Sequence, residues 1–400
     1  MKYYATVGLL FLAMCYTNAQ EIKAPRFGKG ILNITGKDST WSMKFATRIQ
    51  LLGTATWQEN NDNSTDFDTN FLIRRARLKF DGFAFTKKLT YKIEIGLSNR
   101  DISGGSPYTN NTPRYIYDAL IKWNFYKNFS LWAGQTKLPG NVERVISSGN
   151  LQFVDRSLLN AEFNIDRDIG LQLRHHFYTG QNFLIREKFA FSQGEGRNVT
   201  VGNIGGYQYT SRIELLPFGA FEGNNEYQGS ALKRENKPKL MIGATYDFND
   251  DAIKTRSNMG TFMETDTKPY ETDISTLFLD IVFKYKGFSF LSEYANRNAD
   301  DPIARNSDGT PTGDVVEVGN GFNVQAGYLF NSNWEISGRY TNLDMDEIGE
   351  YRKSYEDQYT FGISKYIVGH KLKVQTDVSY LSAFQSGNEI MARLQMELHF

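Results

Sequence analysis

The sequence predicts an all-β chain, a transmembrane antiparallel β-barrel of about sixteen strands with an inward-folded constriction loop. Three observations predict it. The last twelve residues alternate without a break: Ile390, Ala392, Leu394, Met396, Leu398 and Phe400 share one face, while Met391, Arg393, Gln395, Glu397 and His399 share the other. A period of two describes a strand whose faces see different surroundings, and stopping on such a strand with a terminal aromatic is how outer-membrane barrels usually finish. Alternating segments of this kind recur along the chain, and the connections between them are alternately long and short.

The N-terminus reads as an export signal over residues 1–19. Lys2 supplies the charge, Val7 to Met14 the apolar stretch, and Thr17-Asn-Ala19 a small-x-small cleavage site before Gln20. Cys15 invites a lipid-attachment reading, but Met14 is a poor fit to the small residue needed before it. Cleavage at Ala19 removes the chain's one cysteine, which suits an oxidising periplasm. Residues 20–40 are expected as a periplasmic segment and 41–400 as the barrel. No later run is long enough for a membrane helix, yet a spanning strand shows lipid only alternate residues and dilutes its own signal. Aromatics make up 14% of the chain, which suits interfacial girdles.

The strand candidates follow in order. Trp41–Trp57 sets Phe45, Ile49 and Leu51 against Lys44, Arg48 and Gln50. Leu72–Phe83 sets Ala76, Leu78 and Phe80 against Arg75, Arg77 and Lys79. Leu89–Arg100 sets Ile93, Ile95 and Leu97 against Lys92 and Glu94. Tyr115–Phe125 sets Tyr117, Ile121 and Trp123 against Asp118 and Lys122. Phe129–Lys137, Ile169–Phe177, Phe183–Phe191, Tyr207–Leu216, Leu240–Phe248, Leu277–Tyr285, Phe288–Tyr294, Phe322–Phe330, Trp334–Tyr340, Tyr359–Ile367, Leu372–Tyr380 and Ile390–Phe400 complete sixteen. An even number returns both ends to the periplasmic side.

Long connections (Gln58–Asn70, Asp101–Pro113, Leu138–Asp166, Asn249–Ser275, Asn296–Gly319, Leu343–Glu356) alternate with tight ones such as Lys286-Gly287 and Val368–His370. Pro217–Pro238 breaks the rule, being long where a turn should be short. Glu187 and His175 fall on apolar faces, where a carboxylate toward lipid is unfavourable.

Catalysis finds little support. His175 and His176 are adjacent and point to opposite faces of a strand. His370 and His399 stand apart, and neither a zinc-type spacing nor a nucleophile elbow occurs. No metal or cofactor is expected. Asp344-Met-Asp346-Glu347 lacks a calcium-loop pattern and reads as a solvated loop. Basic and acidic residues balance at 45 each, so a nucleic-acid partner is not indicated.

Sorted by face, the charges are more informative. Lys44, Arg48, Arg75, Arg77, Lys79, Lys92, Arg100, Lys122, Arg174, Arg212, Arg339, Lys373 and Arg393 are expected inward. Asp81, Glu94, Asp118, Glu214, Asp247, Asp280, Glu293, Glu335, Asp377 and Glu397 partly offset them. The first long connection carries Glu59, Asp62, Asp66 and Asp68 with no base. A narrow passage with excess positive charge enriches anions; the bland alternative is that inward arginines brace the wall as ion pairs. Three cations on one face, Arg75, Arg77 and Lys79, exceed what Asp81 on the same strand can neutralise. The stretch 138–166 carries Val145, Ile146, Leu151, Phe153, Leu158 and Phe163, which need burial, and Arg144 and Arg156, with Lys137 and Arg167 at its ends. Folding into the lumen would satisfy it.

Several motifs then resemble one family. Phe27-Gly-Lys-Gly30, Arg48-Ile-Gln50, Arg74-Arg-Ala-Arg-Leu-Lys-Phe-Asp-Gly82, Tyr117-Asp-Ala119, Gly134-Gln-Thr-Lys-Leu-Pro-Gly140, Asp155-Arg-Ser157 and Arg167-Asp-Ile-Gly170 are similar, in order, to the phosphate-selective porin O and P family. The N-terminal cues and the Gln20 start look like exported proteins of the Bacteroidetes type. The resemblance implies a sixteen-stranded barrel, commonly a homotrimer in outer-membrane lipid, passing anions along an arginine-lined path. It implies path roles for Arg48, Arg74, Arg75 and Arg156, although the alternation places Arg74 outward. The chain departs from the family at Leu138-Pro-Gly140, where an aromatic usually separates proline from glycine. The expected function is passive diffusion of small hydrophilic solutes with anion preference, phosphate or polyphosphate among them. Its expected path residues are Arg48, Arg75, Arg77, Lys79, Lys92, Lys122, Lys137, Arg144, Arg156 and Arg167. The rivals are a secreted β-rich surface adhesion protein without a pore and an outer-membrane barrel enzyme.

Overall fold

A computed structural model describes residues 25–59, 65–102, 104–348, 351–352, 356–383 and 387–400. The expected signal peptide and Asp62 lie outside these residues. Sixteen long strands follow one another: β1 Ser42–Glu59, β2 Thr65–Ala84, β3 Thr86–Gly96, β4 Ile116–Tyr126, β5 Phe129–Lys137, β6 Arg167–Thr179, β7 Phe183–Ser192 and β8 Gln208–Leu216. Then come β9 Lys239–Ala252, β10 Thr272–Tyr285, β11 Phe288–Ala299, β12 Gly319–Leu329, β13 Trp334–Met345, β14 Glu356–Tyr366, β15 Leu372–Ala383 and β16 Gly387–His399. Each pairs antiparallel with the next, and β1 pairs with β16 from Arg48 opposite His399 to Gln58 opposite Glu389. The sheet is closed, so no strand edge is left for lipid to meet. A short strand, Leu32–Thr35, pairs with the start of β1, and the Phe27 and Phe400 rings meet edge-on at 5.7 Å.

The faces sort as the alternation requires. Ile49, Leu51, Ile93, Ile121, Trp123, Leu279, Phe361 and Leu394 are exposed on the outside, while Arg48, Gln50, Arg75, Arg77 and Asp118 are buried inside. That outer band is apolar because lipid, not water, is its solvent. His175 and Glu187 do lie outward, facing each other across β6 and β7. They relieve the mismatch with a 3.0 Å contact, and the His175 ring stacks on Phe129.

Four expectations need correction. β2 begins at Thr65, opposite Glu59, so much of the first long connection is strand. Arg100 is not in a strand: β3 stops at Gly96 and Asn99–Ile102 forms a short helix, α1. A bulge opposite Gln50 and Leu51 pairs Arg75 and then Ile73, which leaves Arg74 as the extra residue. Arg74 therefore turns inward beside Arg75. A second bulge pairs Glu94 with Asp118 and Ile95 with Ile116, so Tyr117 faces the lumen rather than lipid. The inner face also carries apolar residues. Phe278, Ala295 and Leu343 are buried inside the barrel, packed against Leu138, Leu159 and Phe163 of the inward loop.

Candidate functional site

The stretch 138–166 folds into the lumen and carries two short helices, α2 Val142–Val145 and α3 Leu158–Phe163. Its apolar groups dock on the far wall: Val142, Ile146 and Leu151 pack with Leu184, Leu216, Met241, Val282 and Leu291. Ser157 caps α3 by accepting from the Asn160 amide. The loop backbone is held by wall side chains. Glu293 accepts from the Glu143 amide at 2.7 Å, Asp377 from the Val154 amide at 3.0 Å, and Thr245 donates to the Pro139 carbonyl at 3.1 Å. Glu335 accepts from Gln152 Nε2 at 2.9 Å. The inward acids that offset the basic charge in the sequence thus fix the loop.

Pressed toward β8–β15, the loop leaves an open cavity of about 490 Å³ against β2–β6. Ten arginines and three lysines line it against four carboxylates, Glu94, Asp101, Asp118 and Asp166, so its field is positive whatever pairs form. Eight of the ten expected path residues are there: Arg75, Arg77, Lys92, Lys122, Lys137, Arg144, Arg156 and Arg167. Arg48 is not among them. It is buried and donates to Ser148 Oγ at 2.9 Å. Lys79 also stands aside, at 3.0 Å from Asp81.

Within the cavity the cations differ in commitment. Arg77 is held at 2.9 and 2.7 Å by Asp101 and at 2.9 Å by Glu94, so the charge its own strand could not neutralise is met by its neighbours. Lys92 binds Asp118 at 2.5 Å, and Arg167 binds Asp118 and Asp166. Arg144 pairs with Asp166. Lys137 and Arg156 serve the loop: both donate to carbonyls at the end of α2, the Arg144 carbonyl for Lys137 at 2.6 Å and the Ile146 carbonyl for Arg156 at 2.7 Å. Arg74 binds Asp155 at 2.6 Å, and Arg75 stands 3.7 Å from the same carboxylate. Burial raises the proton affinity of Asp155, but Arg74 and Arg75 outweigh it and hold the group well below the usual carboxylate range. Asp166 is held low in the same way by Arg144 and Arg167.

Two aromatic rings organise the rest. Tyr117 lies beneath Arg77 at 3.9 Å, Arg197 at 4.0 Å and Arg167 at 4.8 Å, and its hydroxyl donates to Asp101 at 3.0 Å. Trp132 stacks with Lys122 at 3.8 Å and Arg174 at 3.5 Å. Neither Lys122 nor Arg174 has a carboxylate within ion-pair distance among the described residues, so no ion pair offsets their charge toward a passing solute. Sequence reasoning placed Arg174 and Arg100 inward without selecting them. It missed Arg114 and Arg197, which come from connections with no alternation to read.

A sequence profile of the phosphate-selective porin O and P family matches residues 49–389. The chain belongs to that family. It is therefore an outer-membrane channel protein, not an enzyme, and the closed barrel sets aside the soluble adhesion reading. A protein of Aquifex aeolicus (strain VF5), described as uncharacterized, is 24% identical over 372 residues, spanning 86% of this porin and 83% of the relative. Among solved structures, the outer-membrane channel DcaP of Acinetobacter baumannii is 14% identical with a TM-score of 0.55, covering 92% of this chain and 99% of that one. The anion-selective porin from Comamonas acidovorans is 10% identical with a TM-score of 0.53, covering 90% and 100%. At these identities the likeness is one of fold.

Proposed function

We propose that this porin passes small hydrophilic solutes by passive diffusion with a preference for anions, phosphate and polyphosphate among them, as a homotrimer of separate pores. The carrying observation is the cavity wall itself: thirteen cations against four carboxylates, with Lys122 and Arg174 stacked on Trp132 and bound to no acid. The family description and the anion-selective relative of the same fold support the reading. A diffusing ion needs sites that attract it without holding it, and ring-stacked cations meet that need better than cations locked in buried pairs.

The test is a planar bilayer under a salt gradient. The reversal potential should report more chloride than potassium permeation, and replacing both Lys122 and Arg174 with glutamate should reduce or invert it. Cation preference in the unaltered protein would refute the proposal. Phosphate added to one side should lower chloride current if phosphate shares the path, and chemical cross-linking in detergent should give a three-chain band.

A further inference from the structure

The connection Pro217–Pro238, too long for its place between β8 and β9, lies at the end of the barrel where β1 begins and β16 ends. It does not hang free. A Cβ at Gly219 would come 3.1 Å from the Asn182 carbonyl in the β6–β7 turn. Further along, the Glu235 carbonyl accepts from the Lys286 amide in the β10–β11 turn at 3.0 Å. Arg234 donates to the Leu329 and Phe330 carbonyls of the β12–β13 turn at 2.7 and 2.6 Å. Leu232 reaches the β14–β15 turn, 3.8 Å from a Cβ built at Gly369. The segment therefore crosses beneath half of the barrel mouth, touching one turn after another.

Its middle rises to meet the constriction loop. The Gly229 amide donates to the Asn150 carbonyl at 2.6 Å, and any side chain there would collide with the Gln152 amide nitrogen at 2.3 Å. Phe221 packs into the same apolar cluster as Val142, Ile146 and Leu151 of the loop. From the wall, Lys284 donates to the carbonyls of Asn225, Gln228 and Ser230 at 2.6, 2.7 and 2.9 Å. Glu226 is bound to Arg186 at 2.5 Å, and Tyr227 to Glu214 and to Lys188, at the edge nearest β6 and β7.

We infer that this connection is a second constriction element, a strap that clamps the inward loop from below and closes the β9–β15 side of the mouth. Solutes then leave only along β2–β7, past Arg186 and Tyr227. Pore size is set jointly by the loop and by the strap on which its Asn150–Gln152 stretch rests. A carbonyl triad on Lys284 and an amide on Asn150 suit such a clamp because they fix backbone and make the position of the strap independent of its exposed side chains. The inference rests on the channel reading, and it can fail separately from the anion preference.

The experiment compares single-channel conductance and exclusion of polyethylene glycols of graded size for the unaltered porin, Gly229→Val and Arg234→Gln. Gly229→Val forces the strap off the loop and should raise conductance about twofold or more, with larger polymers admitted. Its anion preference should persist, because the β2–β6 wall is untouched. Arg234→Gln cuts a half-exposed tether without entering the packed interior, so it stands in should Gly229→Val fail to assemble. It should give a larger or visibly flickering open state. Conductance and size cut-off unchanged in the variants that fold would overturn the strap. A lack of anion preference in the unaltered protein would instead overturn the proposed anion selectivity and leave the strap standing.

Discussion

The wall from β2 to β6 and the wall from β8 to β15 carry similar inward residues and use them oppositely. On the first, Lys122, Arg174 and the Tyr117 arginines border open space. On the second, Arg212, Lys284 and Lys373 are as charged but sealed: Arg212 binds Asp280 at 2.6 and 2.8 Å and Glu214 at 2.8 Å, and all three groups are buried. The difference is made by what covers each wall. The inward loop and the 217–238 connection dock apolar groups on one side only, and once water leaves, each charged group there must be met by an opposite charge or by hydrogen bonds, as Lys284 is by three carbonyls. Inward-facing charge therefore has two meanings in a single barrel, bait on the wet wall and bracing on the dry one.

The sharpest way to break this comparison is one truncation on each wall. Arg212→Met leaves Asp280 and Glu214 without their shared partner in a water-free site, a loss of about 3–5 kcal/mol. The temperature at which the folded form converts to the slower unfolded form on a denaturing gel should fall markedly. Arg174→Met gives up a stacked ring and the Gln172 amide oxygen, a change of about 1 kcal/mol, so that temperature should hardly move while anion preference weakens. Equal thermal losses from the two would mean that the walls are not different.

A smaller effect is expected where wet wall and loop join. Arg74→Leu removes the 2.6 Å ion pair to Asp155 and leaves Arg75 at 3.7 Å as the remaining partner. A charge-assisted bond of this kind contributes about 1–3 kcal/mol, and the loop should loosen before the barrel does. Conductance should rise while the gel transition shifts only slightly; an unchanged conductance would show that the wall acids alone hold the loop.

Arg74 also shows what the sequence discloses. All sixteen strands were legible because alternation is a local property, and so was the inward loop, whose apolar residues had nowhere else to go. The bulge at Arg74 also has a local signature: Phe71 and Ile73 are odd-numbered, whereas Ala76, Leu78 and Phe80 are even, so the phase slips between them. The bulge at Tyr117 was not legible. Tyr117, Ala119, Ile121 and Trp123 run in phase, and only pairing with β3 turns the tyrosine inward. Which cations face solvent was hidden for a similar reason. Arg77 and Arg174 look alike on a strand, and the acids that hold Arg77 come from β3 and α1.

The mildest test probes the dry wall by acid. His370, in the β14–β15 turn, is buried against Tyr366, and neither ring nitrogen has a hydrogen-bond partner among the described residues. Burial first, then the nearby charges of Lys373, Lys284 and Lys371, push its proton affinity well below the ordinary value of 6.5. The folded protein thus keeps His370 neutral where the unfolded chain would protonate it. Because the unfolded state binds the extra proton, the contribution is complete above about pH 6.5 and is lost as the pH falls, by up to about 2 kcal/mol near pH 5. The gel transition temperature should drop on going from pH 7.5 to 5, and His370→Phe should flatten part of that drop. A drop fully retained in His370→Phe would place the acid sensitivity elsewhere.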